Sequence, residues 1–198
     1  GVIRDLGASF NLATGINASG QVAGNSGNRA IRYDGGVLRD LGSLGGSISH
    51  ATGINDSGQV VGDSETAAGR SHAFLYDGSK MRDLGVLGVL SGGDSFATGI
   101  SNSGGVVGYF YGAGTSVAHA FLYDGGVMRD LGTLGGKDSF AQGINASGQV
   151  VGYSATASNP RHAFLYSNGA MVDLNNLISP GSGWTLATAQ GINDAGQI

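Results

Sequence analysis

Three histidines, His72, His119 and His162, recur at one position of a repeated segment, and three imidazoles suit zinc. Copies of a repeat are held apart, however, and Arg29 occupies the fourth equivalent place. These residues are therefore expected to be half-buried strand residues, each with a hydrogen-bond partner. Carboxylates are the second chemical resource. Glu65 is the only glutamate, and Asp63, Asp94 and Asp138 are the aspartates that break the repeat. Asp94 and Asp138 each precede a first strand, where they could form a hydrolytic carboxylate pair or cap a turn. Turn capping is favoured. Trp184, the only tryptophan, stands in the irregular loop 179–186. It is expected to pack beneath that loop as large apolar rings do, or else to stack on a sugar.

The remaining residue types exclude much. With no cysteine there is no thiolate nucleophile, cysteine-zinc site or iron–sulfur cluster. Ten Lys and Arg against fourteen Asp and Glu give a net charge of −4, which lacks the basic footprint of a nucleic-acid binder. The Gly-rich RDLGxLGG stretches lack the Lys-Ser/Thr of a phosphate loop, and no EF-hand ligand spacing occurs. No cofactor is implied. No apolar run is long enough to span a membrane as a helix.

What positions these residues is a repeat. Of 198 residues 39 are glycine and only 2 proline, which suits many tight turns between short strands. The run 126–154 (GVMRDLGTLGGKDSFAQGINASGQVVGYS) echoes 36–64, with further copies at 78–110 and, shorter, at the N-terminus. A degenerate copy ends at Ile198. The marker residues Ile16, Ile54, Ile100, Ile144 and Ile192 recur at propeller-like intervals. Each unit holds four strand-like segments, exemplified by SFATGI ending at Ile100, Gly105–Phe110, His119–Asp124 and Val127–Gly132. NxSG turns join the first two. Here Asn17, Asn55 and Asn145 lie in Asn-x-Ser sequons, but turn formation explains them. Two-residue turns such as Gly125-Gly126 join the last two. In HAFLYD, Phe74 and Tyr76 should face one way and Ala73 and Leu75 the other, making both faces apolar. Arg4-Asp5, Arg39-Asp40, Arg82-Asp83 and Arg129-Asp130 should lie on the outer strand, blocking edge pairing or forming cross-strand ion pairs.

The expectation is an all-β chain: a β-propeller of four-stranded antiparallel blades, five in number, forming one repeat domain. Its units are 8–42, 43–85, 86–132, 133–174, and 175–198 plus 1–7, the N-terminal strand completing the last blade. Residues 187–198 should open that blade as a first–second hairpin. Its missing third strand would come from chain beyond Ile198 or from another segment.

The repeated HAFLYDG at 72–78 and 119–125, with RDLGxLGG and GINxSGQVVGYS, resembles the bacterial HAF-family extracellular repeat across essentially the whole chain. The first unit departs from it, with RAIRYD at 29–34, and the fifth has no such strand. The resemblance implies export and a repeat fold, and carries over no catalytic residue, cofactor or ligand. The functional expectation is a non-catalytic extracellular scaffold or protein-interaction module. A carbohydrate-binding, lectin-like module is the first alternative and a glycoside hydrolase the second. The partner would be an extracellular protein or a glycan. Loops entering first strands and leaving second strands should share one binding face, collecting His50, Asp94, Tyr109, Tyr111, Asp138 and Trp184.

Overall fold

Glycine-closed hairpins organise the backbone. A computed structural model describes residues 11–87, 92–158 and 160–198. Sixteen strands are described: β1 (Leu12–Ile16), β2 (Val22–Ser26), β3 (Arg29–Asp34), β4 (Val37–Asp40), β5 (Gly45–Ile54), β6 (Val60–Thr66), β7 (Ser71–Tyr76), β8 (Met81–Gly85), β9 (Asp94–Ile100), β10 (Val106–Tyr111), β11 (Ala118–Asp124), β12 (Val127–Asp130), β13 (Gly135–Ile144), β14 (Val150–Thr156), β15 (Arg161–Ser167) and β16 (Ala170–Asp173). One 3₁₀ turn, Leu174–Leu177, follows. The strands make four separate four-stranded antiparallel sheets, each pairing in chain order. The protein is thus all-β, and its described sheets do not close on one another.

The turns are those the sequence chemistry asks for. At the first–second connection the closing glycine is left-handed, with φ of 78° at Gly20, 75° at Gly58, 90° at Gly104 and 77° at Gly148. At the third–fourth connection of the first, third and fourth sheets both central residues have positive φ, as in Gly125 (58°) and Gly126 (85°), which matches strand twist, while the second sheet uses a longer connection, 77–80, with Gly78 at 101°. Asn168, at φ 53°, takes this role in the fourth sheet.

Packing follows from strand alternation. Val60 and Val61 are adjacent, so they face opposite ways. Val60, Ala51, Phe74 and Tyr76 pack on Ala23, Ala30 and Leu41 at the first junction. Val61, Ala73 and Leu84 meet Ala97, Val106, Phe110 and Phe121 at the second. Val107, Ala120 and Leu131 meet Ala141, Val150 and Phe164 at the third. Every inner sheet is therefore apolar on both faces, as HAFLYD implies. Burying each phenylalanine contributes about 2–3 kcal/mol.

Polar groups lock the junctions as well. Buried Ser49, Ser95 and Ser139 accept from the backbone N–H of Ala30, Ala73 and Ala120 in the preceding sheet, at 3.0, 2.9 and 2.9 Å. The turn asparagines form a second set of links. The side-chain amide of Asn17 donates to the Asn55 carbonyl (3.0 Å) and that of Asn55 to the Ser101 carbonyl (3.1 Å). Asn145 likewise reaches Asn193. Ser101, too short to continue the series, bonds within its own turn to Ser103 and the Gly105 N–H.

The fifth unit departs from expectation. Residues 187–198 make the turn but no strand: the Asn193 N–H donates to the Gln197 carbonyl and Gly196 N–H to Asn193, as in the other turns. In the fourth sheet the first strand is held by Val150–Thr156. Ala189 and Ile192 nevertheless pack on Val151 and Ala163. The strand expected within 1–7 lies outside the described residues.

Candidate functional site

The repeat supplies an internal comparison among four sheets. In their first two strands, the pairs Ala13–Gly24, Ala51–Gly62, Ala97–Gly108 and Ala141–Gly152 are the same. A Cβ at Gly62, Gly108 or Gly152 would overlap the carbonyl oxygen of His50, Phe96 or Phe140 across the ladder. The glycine is therefore demanded by backbone approach beside a β-bulge, a device that re-aims neighbouring side chains. The adjacent pair is not constant: Leu12 with Asn25, His50 with Asp63, Phe96 with Tyr109, Phe140 with Tyr153. The fold tolerates three different chemistries at one place.

The two Phe–Tyr pairs make a continuous aromatic stripe across the third and fourth sheets. Phe96 stacks on Tyr109 with centroids 5.1 Å apart, Tyr109 meets Phe140 at 5.0 Å, and Phe140 stacks on Tyr153 at 4.9 Å. Tyr111 sits edge-on to Tyr109 at 5.7 Å. The guanidinium of Arg161 lies over the Tyr153 ring, 4.2 Å from its centroid. All five rings are half-buried. Among the described residues no hydrogen bond engages the hydroxyls of Tyr109, Tyr111 or Tyr153. Ser116, Asp138, Phe140, Tyr153, Ala155 and Arg161 line a cleft of about 280 Å³ at the Arg161 end.

At the other end, His50 Nδ1 is 3.2 Å from Asp63 Oδ2. Burial pushes the Asp63 carboxyl above its ordinary value, against the opposing pull of His50. Burial also raises the Tyr109 hydroxyl, with smaller contributions from Tyr111, Asp63 and Tyr153.

Of the residues expected at the binding face, the stripe gathers Tyr109 and Tyr111 directly and Asp138 through the cleft, while His50 holds the corresponding pair position in the second sheet. They stand on strands, not loops: His50 on β5, Asp94 on β9, Tyr109 and Tyr111 on β10, Asp138 on β13. The reason is that the first strands start earlier than the SFATGI-type core, reaching Gly135 across a register shift in β13. Asp94 accepts from the Ser71 N–H at 3.0 Å and lies 3.6 Å from Arg70; Asp138 accepts from the Ala118 N–H at 2.9 Å. Both carboxylates thus fasten the preceding sheet; contrary to the expectation, neither caps a turn, because each stands within a strand that packs against that sheet. Trp184 is 79% exposed, so it does not pack beneath its loop. It borders a separate groove with Pro180, Gly183 and His162, which shares no lining residue with the cleft.

The recurring histidines have a geometric explanation. His72, His119 and His162 Nδ1 lie 2.9, 2.7 and 2.6 Å from Asp83, Asp130 and Asp173, and Arg29 pairs with Asp40 at 3.2 Å. The aspartate of each described RD dipeptide therefore meets the third-strand His or Arg, not an outer-strand arginine. Burial alone would raise the Asp173 carboxyl, but His162 and Asn175 outweigh it and hold it below its ordinary value. Among the described residues, no group of three or more His, Cys, Asp or Glu could hold a metal ion.

Phe96, Phe140, Tyr153 and Arg161 were missed as site residues. The signal was present: each occupies a repeat position that changes from unit to unit beside one that does not.

A scan against models of known protein families finds no match, and a search of curated proteins finds no significant relative.

Proposed function

We propose that the chain is a non-catalytic extracellular binding module, an arc of β-propeller blades of the HAF-repeat type that presents the aromatic stripe to a protein or glycan. The observation that carries this reading is the contrast within the repeat. Ala–Gly pairs that the backbone requires are constant, while the pair beside them changes to His–Asp, Phe–Tyr and Phe–Tyr. Selection for folding alone gives no reason to line three half-exposed positions with rings, because the first sheet holds the same backbone with Leu12 and Asn25. Aromatic rings with unengaged hydroxyls combine apolar area with hydrogen-bonding capacity, a combination enriched at binding surfaces. The propeller reading rests on four meander sheets that stack face to face in chain order.

A glycoside-hydrolase role has less behind it, since Asp94 and Asp138 are both committed to backbone N–H groups. The test is to probe glycan and extracellular-protein arrays with the labelled chain and with a Tyr109→Ser/Tyr153→Ser variant. Capture that the double variant loses, with its melting temperature retained, is the expected result. Capture indifferent to both substitutions, or no capture on either array, overturns it.

A further inference from the structure

We propose that the cleft beside Arg161 binds a pyranose carrying an anionic substituent, so that the module's ligand is an acidic glycan. The inference rests on the binding-module reading above and adds the ligand's chemical class.

The Arg161 guanidinium is fixed by its stacking on Tyr153. Among the described residues no carboxylate lies within 4.0 Å of it. The preceding junctions are built differently. Asp94, at the second junction, takes Arg70 as its ion partner at 3.6 Å, and Asp138 holds the same repeat position at the third. Counting back from the marker isoleucine, the next copy has Leu186 there. The fourth sheet therefore presents, one position nearer the strand histidine than Arg70, a cation that forms no ion pair among the described residues, with the Asp138 carboxylate at the far side of the same cleft already holding the Ala118 N–H. The position is another that the repeat leaves free, with Asn28, Ser71 and Ala118 in the other sheets and Arg161 only here.

An arginine laid on an aromatic ring keeps its N–H fork available at its edge, the geometry that receives a carboxylate or sulfate through paired hydrogen bonds. The remainder of the cleft suits a sugar ring. Phe140 and Tyr153 supply apolar surface, and the Tyr153 hydroxyl, Ser116 and the second oxygen of Asp138 supply hydrogen-bonding groups. Its volume of about 280 Å³ is near the lower end for small-molecule sites, which fits one sugar residue of a chain. The ring series Tyr153–Phe140–Tyr109–Phe96 then continues as a track for neighbouring residues of the polymer.

Calorimetric titration of the full chain with oligogalacturonate, a sulfated galactose oligomer and carboxyl-reduced oligogalacturonate tests this. The expected result is binding of at least one anionic oligomer, and at least about tenfold weaker binding of the reduced one. The uronate and sulfated arms identify which anion the fork prefers. Arg161→Gln should weaken the anionic ligand at least about tenfold, Arg161→Lys less, and the distant Arg82→Gln not at all. Because Arg161 is exposed, loss of fold is not at issue. Equal affinity for charged and reduced oligomers, or an Arg161→Gln variant that binds like the parent chain, overturns the acidic class. If such binding still disappears in Tyr109→Ser/Tyr153→Ser, the module reading survives that failure. No binding of any of the three at millimolar concentration, or tighter binding of an acidic peptide, also overturns the acidic-glycan proposal.

Discussion

Two aspartates, each beside a histidine, respond to pH in opposite senses because their surroundings differ. Asp63 is half-buried, and desolvation holds its folded-state pKa above the ordinary 3.8. Its contribution to stability is thus full below pH 3.8 and lost as pH rises through the folded value. Asp63→Asn removes a penalty that exists at neutral pH; Asn25 already fills the corresponding place in the first sheet. The expected outcome is a stability gain below about 1 kcal/mol at neutral pH that vanishes in acid, read by urea titration at both. Asp173 has the reverse sign. Its folded pKa is depressed, so its contribution is present above 3.8 and lost as pH falls through the folded value. Asp173→Asn should therefore cost stability at neutral pH and little in strong acid.

At the level of elements, the hairpin and the bulge limit what each strand can be. A side chain at position 108 would occupy the space of the Phe96 carbonyl, so Gly108→Ala must distort the β9–β10 ladder. A loss of about 2–3 kcal/mol is expected, together with displaced Phe96 and Tyr109 rings visible as changed aromatic chemical shifts. Asn55 is buried, and its side chain serves the Gln59 N–H, the Gln59 side chain and the Ser101 carbonyl of the next sheet. Asn55→Ala orphans all three and should cost about 2 kcal/mol in thermal or urea unfolding. Ser57→Ala, which leaves the Asn55 side chain intact and so separates ladder loss from a sequon effect, should be close to neutral.

For the whole molecule, successive sheets meet through junction cores that repeat with little change. Phe74, Phe121 and Phe164 are fully buried at the first, second and third junctions. Truncating any one to alanine should cost about 3–5 kcal/mol. In a nearest-neighbour array the loss is local. Phe121→Ala is therefore expected to speed hydrogen exchange first at the second junction, in β6, β7, β9 and β10, ahead of β2 and β3. Uniform acceleration through all four sheets would show a single cooperative unit instead.

The sequence by itself settled the strands, their order, the hairpin types and the two-sided apolar faces. Each of these is a local consequence of period-two alternation and of glycine or asparagine at fixed offsets. Residues 187–198 show the limit of that reasoning. Their turn forms because its bonds lie within five residues, whereas a strand forms only with a ladder partner, and spacing along the chain does not supply one. The site was legible only in part. His50, Tyr109, Tyr111 and Asp138 were singled out by type, but the grouping of Tyr109, Tyr111 and Asp138 with Phe96, Phe140, Tyr153 and Arg161 depends on contacts between sheets such as Tyr109 with Phe140. Only the stacking of one sheet on the next decides which unlike side chains become neighbours. Within each sheet, pairing of the third and fourth strands brings the RD aspartates to the strand histidines, and only the packing around loop 179–186 decides that Trp184 stays in solvent, because contacts in space and not residue type set both.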